Sequence, residues 1–93
     1  IFIKKLNQLK FKNISSAIFY DKLSIILKRY LENQYYVISF EMTSEEIKTF
    51  FNDADLIGIL DKIDSVKFAN KEYSNSEKKY DLELTKKIVR KLL

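Results

Sequence analysis

Four residue types with central roles in protein chemistry are missing from this chain of 93 residues: cysteine, histidine, tryptophan and proline. Without cysteine there is no disulfide, no thiolate nucleophile and no zinc–thiolate site. Without histidine there is no imidazole base and no imidazole metal ligand. The single glycine excludes a glycine-rich phosphate loop. We therefore expect a non-enzymatic protein with no cofactor.

The residues that are present are typical of one folded domain. Hydrophobic residues make up 46% of the chain, and seven Phe and six Tyr are among them, whereas disordered chains are poor in such residues. No stretch approaches the roughly 20 apolar residues that span a bilayer. The first five residues, IFIKK, fit either the end of a membrane helix located upstream or an ordinary helix start.

Positive charge is concentrated at the N-terminal end. The formal net charge is +4, and residues 1–13 contain no acid and four lysines, Lys4, Lys5, Lys10 and Lys12. These lysines suit the anionic surface beside a membrane helix, or they form a solvated helix face. We divide the chain into a basic juxtamembrane arm or short first helix over 1–13 and a helical domain over 14–93. Since only two arginines occur, we expect no nucleic acid partner.

Apolar residues at helical spacing recur along most of the chain. They predict a short helix or arm over 1–12, a long helix over 16–33 that stops at Asn33, and further helices over about 44–52, 54–65 and 75–92. Residues 34–42 are expected to form a loop that buries Val37 or Ile38 and Phe40. The resulting fold class is all-α, a small orthogonal bundle of four to five helices.

Short polar motifs predict where these helices begin. Ser15 or Ser16 can cap the long helix, and Thr43 with Glu46 forms a capping box. Asp53 can cap the following helix. A second capping box, from Ser74 to Glu77, opens the last helix.

The apolar faces of the helices predict the core. For the long helix the predicted face consists of Phe19, Leu23, Ile26 and Tyr30, widened by Ile18, Leu27 and Leu31. For the last helix it consists of Tyr80, Leu84, Ile88 and Leu92. In the segment after residue 65 we expect Val66 and Phe68 to anchor the core.

A search for paired carboxylates finds no catalytic constellation. Asp61 and Asp64 are three residues apart and could share a metal ion, although a solvated face is the favoured interpretation. Asp53 and Asp55 resemble the start of an EF-hand loop, but the required Gly and the twelfth-position Glu are lacking. We predict no catalytic, cofactor-binding or metal-ligating residue.

Tyrosine is abundant for a core of this size. Because Tyr buries a large area at low entropic cost, it is enriched at protein interfaces. We expect a partly exposed aromatic patch formed by Tyr20, Tyr35, Tyr36 and Tyr73, although each of them singly could be a half-buried residue with a wet hydroxyl.

Three phrases in fixed order indicate a family: FYDKLSIILKRYLE over 19–32, FEMTSEEI over 40–47 and DSVKFAN over 64–70. Over about residues 17–90 the chain resembles the C-terminal cytoplasmic domain of BatD-like proteins, the oxygen tolerance or aerotolerance-associated family. The matching positions are Thr43, Glu46, Lys67, Phe68 and Ala69.

The resemblance implies a domain on the cytoplasmic side of the bacterial inner membrane, placed after a transmembrane helix. It implies a MoxR-type AAA+ ATPase and von Willebrand factor A proteins as partners, in a stress-related or chaperone-like assembly. We expect an adaptor whose partner-binding residues are Lys67, Tyr35, Tyr36 and Tyr73. Lys67 could instead pair with Asp64 or with an acid of the Thr43 helix. The alternatives are a self-associating structural domain, or a binder of anionic lipid or nucleic acid through the N-terminal lysines.

Overall fold

The computed structural model describes residues 2–35 and 42–91, with the backbone alone for Tyr35. Within these residues the chain forms five helices and no strand: α1 (Phe2–Gln8), α2 (Ser16–Tyr35), α3 (Ser44–Phe50), α4 (Ala54–Ala69) and α5 (Asn75–Lys91). The prediction of an all-α fold built as a small helical bundle is confirmed.

The long helix α2 is the centre of the bundle, since it contacts α1, α4 and α5. In addition α1 and α4 pack against α5, and α3 packs against α4. The core consists mainly of aliphatic side chains from the three longest helices, among them Leu23, Leu27, Leu31, Leu56, Leu60, Ile63, Ile88 and Val89. Burial of each such side chain contributes about 1.5–3 kcal/mol.

The first helix belongs to this core. Leu6 is fully buried, and the Phe2 ring packs edge-on against Tyr30 with 5.4 Å between ring centroids. Helix α1, which carries Lys4 and Lys5, is therefore packed against α2 and α5.

The predicted helix starts are confirmed. The Thr43 Oγ1 accepts from the Glu46 N–H at 3.2 Å, and the Glu46 carboxylate accepts from the Thr43 N–H at 3.2 Å. Asp53 Oδ1 accepts from the Leu56 N–H at 3.0 Å. Ser15 Oγ accepts from Ile18 N–H at 3.3 Å, and Ser74 Oγ accepts from Glu77 N–H at 3.2 Å.

The predicted end of α4 was wrong. The helix continues to Ala69 and ends at Asn70, whose φ of 52° lies in the left-handed region that Asn tolerates. Val66 is buried as predicted, but Phe68 is 76% exposed and anchors no core. In a helix, residues two apart point about 200° apart, so Val66 and Phe68 cannot share one face.

The buried face of α5 also differs from the prediction. Tyr80 is 64% exposed, and the helix buries Asp81, Leu82, Thr85, Ile88 and Val89. Ile88 is common to both sets, whereas Leu84 is only partly buried and Leu92 lies outside the described residues. The apolar pattern was misleading because three buried residues of this helix, Lys78, Asp81 and Thr85, are polar.

In α2, five predicted core residues are buried: Phe19, Leu23, Leu27, Tyr30 and Leu31. Ile26 is half-buried. Two predictions were wrong, because the helix passes Asn33 to reach Tyr35 and because Ile18 is exposed. The predictions for Val37, Ile38 and Phe40 lie outside the described residues.

Candidate functional site

A buried carboxylate, Asp81 of α5, joins three helices. It accepts a hydrogen bond from the Tyr20 hydroxyl of α2 at Oδ2. The Lys62 Nζ of α4 lies 3.2 Å from Oδ1 and 3.0 Å from Oδ2. The Thr85 hydroxyl donates to the Asp81 carbonyl at 2.8 Å. Because both carboxylate oxygens have donors, the buried charge is balanced where α2, α4 and α5 meet.

The polar junction extends to the segment between α4 and α5. The Ser65 hydroxyl donates to the Lys62 carbonyl at 2.7 Å and lies 2.9 Å from the Tyr73 hydroxyl. Since the Ser65 hydrogen is used by that carbonyl, the Tyr73 hydroxyl is the donor of the second bond. The Lys62 Nζ also lies 4.9 Å from the Tyr73 ring centroid, and the Tyr73 N–H donates to Ser16 Oγ at 2.8 Å.

The prediction that Tyr20 belongs to an exposed aromatic patch was wrong, because its side chain is buried. Burial first, and then the hydrogen bond to Asp81, raise the pKa of the Tyr20 hydroxyl far above its usual value of 10.0. The hydroxyl therefore stays protonated and donates to the carboxylate. This arrangement cross-links helices and stabilises the bundle.

The acid pairs singled out in the sequence have partners within the fold. Asp61 pairs with Lys48, and Asp64 accepts from the Ser44 hydroxyl at 2.9 Å, so both attach α3 to α4. Lys91 Nζ lies 2.8 Å from Asp53 and 3.1 Å from Asp55.

A hydrogen bond from Lys91 is the main reason why the pKa of Asp53 is lowered. The acids at the start of α4 thus hold the end of α5. Across residues 2–35 and 42–91, no group of three acidic residues is arranged to hold a metal ion.

Of the four predicted partner-binding residues, the structure describes the side chains of Tyr73 and Lys67. Tyr73 is half-buried and engaged with Ser65. Lys67 is exposed on α4, where its Nζ lies 5.4 Å from the Phe68 ring. Within the described residues it forms no ion pair with Asp64 or with an acid of α3. The Tyr35 side chain and Tyr36 lie outside the described residues.

The outer face of α2 exposes two large apolar side chains that the sequence analysis did not identify as candidates. Ile18 is 52% exposed and Ile25 is 38% exposed. They are seven residues apart, so they lie on one side of the helix about two turns from each other. The sequence did contain a signal for this exposure. Lys22 lies on the same side of the helix as Ile18 and Ile25, and lysine is almost never fully buried in a core.

Two grooves border this face. The first, which we call the N-terminal groove, has a volume of about 510 Å³ and lies between α2 and the residues of α1 and the loop that follows it. Its apolar walls come from Leu9, Ile14, Ile18, Phe19, Ile25 and Ile26, and its charged side chains are Lys5, Lys10 and Lys22.

The second, the α2–α4 groove, has a volume of about 990 Å³ and includes Met42, Lys67 and Phe68. Ile18, Lys22 and Ile25 line both grooves and thus form a ridge between them. All four N-terminal lysines are exposed, and Lys5 and Lys10 lie in the N-terminal groove.

Comparison with protein-family models, curated proteins and solved structures gives no match. No helix among residues 2–35 and 42–91 is both long enough and apolar enough to cross a membrane.

Proposed function

We propose that this chain is a non-enzymatic protein-interaction domain, an adaptor that binds a partner protein through the outer face of α2. One observation carries this proposal: Ile18 and Ile25 are exposed in line on a helix whose other large aliphatic residues are buried or half-buried. Clustered apolar side chains on the surface of a folded domain are a common mark of interaction sites.

The state of the polar side chains also supports this proposal. Asp81 is saturated by Tyr20 and Lys62, and the acids at the start of α4 are bound to Lys91. These groups stabilise the bundle. The surface around Ile18 and Ile25 instead offers apolar area with a rim of charge, which is the composition that protein interfaces use.

The resemblance to BatD-like domains supplies the proposed setting. In it, the chain lies on the cytoplasmic side of a bacterial inner membrane and follows a transmembrane helix. Its partners are a MoxR-type AAA+ ATPase or a von Willebrand factor A protein, in a stress-related or chaperone-like assembly. The lysines Lys4, Lys5, Lys10 and Lys12 would then lie at the end of the domain nearest to the membrane.

The test is calorimetric titration of this chain with a MoxR-type AAA+ ATPase, with and without ATP, and with a von Willebrand factor A domain, the partners that the resemblance implies. We expect binding in the micromolar range to one of them. A variant with Ile18→Ser and Ile25→Ser should weaken it about tenfold or more, as for truncated interface anchors. The matched control is Phe50→Ser, since Phe50 is a large exposed apolar residue on α3, and it should bind as the unmodified chain does.

Absence of binding to both proteins, or equal weakening by the Phe50 control, would contradict the proposal. Sedimentation at increasing concentration tests the self-associating alternative. A dimer that dissociates in the isoleucine variant would replace the partner protein with a second copy of this chain.

A further inference from the structure

The N-terminal groove contains three lysines and no acid. Lys5, Lys10 and Lys22 line it, and none of the three forms an ion pair with any residue of 2–35 or 42–91. The α2–α4 groove on the other side of the ridge differs, since Asp21, Glu45 and Asp64 are among its lining residues. The lining residues of the N-terminal groove therefore carry a positive formal charge, whereas in the α2–α4 groove three acids balance the three lysines Lys22, Lys28 and Lys67.

The apolar part of the N-terminal groove is recessed. Phe19 at its base is buried and Leu9, Ile14 and Ile26 are half-buried, whereas Ile18 and Ile25 stand at its edge. Such a recess accepts a row of side chains from a partner. A bilayer surface is broad, and it is best met by protruding apolar residues rather than by a recess.

The spacing along α2 matches that of a second helix. Ile18 and Ile25 are about 10.5 Å apart along the helix axis, at 1.5 Å per residue. An amphipathic helix has apolar residues at positions i, i+3, i+4 and i+7 and spans the same distance. Recognition of such a helix by an apolar groove is a recurring mode of peptide binding.

We propose that the N-terminal groove binds an acidic amphipathic helix of the partner protein. Its apolar stripe packs between α2 and the segment from Lys5 to Ile14, and Glu or Asp residues flanking the stripe pair with Lys5, Lys10 and Lys22. This inference rests on the proposed function, because it specifies the chemistry of the partner that binds the face formed by Ile18 and Ile25.

Deletion of residues 1–13 cannot test this inference, since Leu6 is fully buried and its loss would damage the core. Charge substitutions avoid the problem because the three lysines are exposed. The test variant is Lys5→Gln with Lys10→Gln and Lys22→Gln. The control is Lys71→Gln with Lys79→Gln and Lys87→Gln, which removes the same charge from exposed lysines outside the groove.

The probe is a displayed library of helical peptides with a fixed apolar stripe and with Glu, Gln or Lys at each flanking position. Peptides selected on the unmodified chain should be enriched in Glu and depleted in Lys. The selected peptides should bind the groove variant about tenfold more weakly, from three exposed charge pairs, and the control variant within about twofold. Their affinity should fall as salt is raised.

Peptides without a preference for Glu, or equal binding to both lysine variants, would overturn the acidic-helix inference. If the variant with Ile18→Ser and Ile25→Ser then still loses partner binding, the proposed function stands and only the partner's acidic character fails. If that variant binds as well as the unmodified chain, the proposed function fails. Binding to phosphatidylglycerol vesicles that is lost in the groove variant, with no Glu enrichment, would assign the groove to a lipid surface instead.

Discussion

Tyr20 and Ile18 lie two residues apart on α2 and have opposite surroundings. The polar hydroxyl of Tyr20 is buried against Asp81, whereas the apolar side chain of Ile18 is half in solvent. Simple hydropathy predicts the reverse. The difference shows that the location of a side chain on this helix depends on its neighbours in the fold. Helix α5 offers Tyr20 an acceptor, whereas no helix within residues 2–35 and 42–91 covers Ile18.

The two regions also differ in what they can do. Around Asp81 the hydrogen-bonding groups find partners within the chain, so the junction of α2, α4 and α5 contributes stability. On the outer face of α2, apolar area and lysine charge are left without a partner among the described residues. The first region is expected to respond to substitution by unfolding, and the second by loss of binding.

The largest expected effect is at Asp81. Asp81→Ala removes the acceptor of Tyr20 and the counter-charge of Lys62 and should destabilise the fold by about 3–5 kcal/mol, the loss typical of breaking a buried pair. Urea unfolding followed by circular dichroism measures it. Glu83→Ala, which removes an exposed carboxylate that pairs with the partly covered Lys86, should change stability by less than about 1 kcal/mol. Equal losses of stability in the two variants would show that the buried carboxylate of Asp81 contributes no more than the exposed carboxylate of Glu83.

A second test compares two aliphatic residues of α2. Leu23 is fully buried and Ile25 is 38% exposed. Leu23→Ala should cost about 3 kcal/mol, because it removes buried methyl groups and leaves a cavity. Ile25→Ala should change the free energy of unfolding by no more than about 0.5 kcal/mol. A loss above 1 kcal/mol at Ile25 would mean that this face is packed within the chain.

Tyr20→Phe isolates one hydrogen bond of the junction. We expect a loss of about 2 kcal/mol at neutral pH, since the bond is to a charged acceptor. The pKa of the Tyr20 hydroxyl is raised in the folded state, so the folded protein holds this proton more tightly than the unfolded chain. The stability that the Tyr20 hydroxyl contributes is complete below pH 10. It falls as the pH rises above 10, by up to about 1.4 kcal/mol per pH unit.

The stability difference between the unmodified chain and Tyr20→Phe should therefore be constant from pH 7 to 9 and shrink between pH 10 and 11. Urea midpoints across this range measure it. The comparison removes the pH dependence of every group that the two proteins share. A difference that grows with pH would show that the hydroxyl is not bonded to Asp81.

The smallest expected effect is a gain at Gly58. A Cβ added there meets no atom of the described residues within 4 Å, so this glycine serves no close approach among the five described helices. Gly58→Ala should stabilise α4 by up to about 1 kcal/mol through helix propensity, seen as a rise in the thermal midpoint of about 4–8 °C. A decrease would indicate that the exposed side of α4 is constrained by packing.

Local signals were sufficient for the helix starts. Thr43 and Asp53 cap α3 and α4 as predicted, because a cap depends on residues three apart in sequence. The end of α4 was missed because Asn70, which takes the left-handed conformation that ends the helix, lies five residues beyond the predicted end at residue 65. The α5 face was missed because Asp81 and Thr85 look like solvent-facing residues until their partners are known.

The sequence by itself determined the all-α class, the positions of most helices and the apolar core of α2, since these depend on propensity, capping and periodicity over a few residues. Only the tertiary structure decided that Asp81 is an interior residue, because its partners Tyr20 and Lys62 lie 61 and 19 residues away. It also decided that Ile18 and Ile25 are surface residues, because exposure depends on whether another element covers a helix face, and no local pattern encodes that.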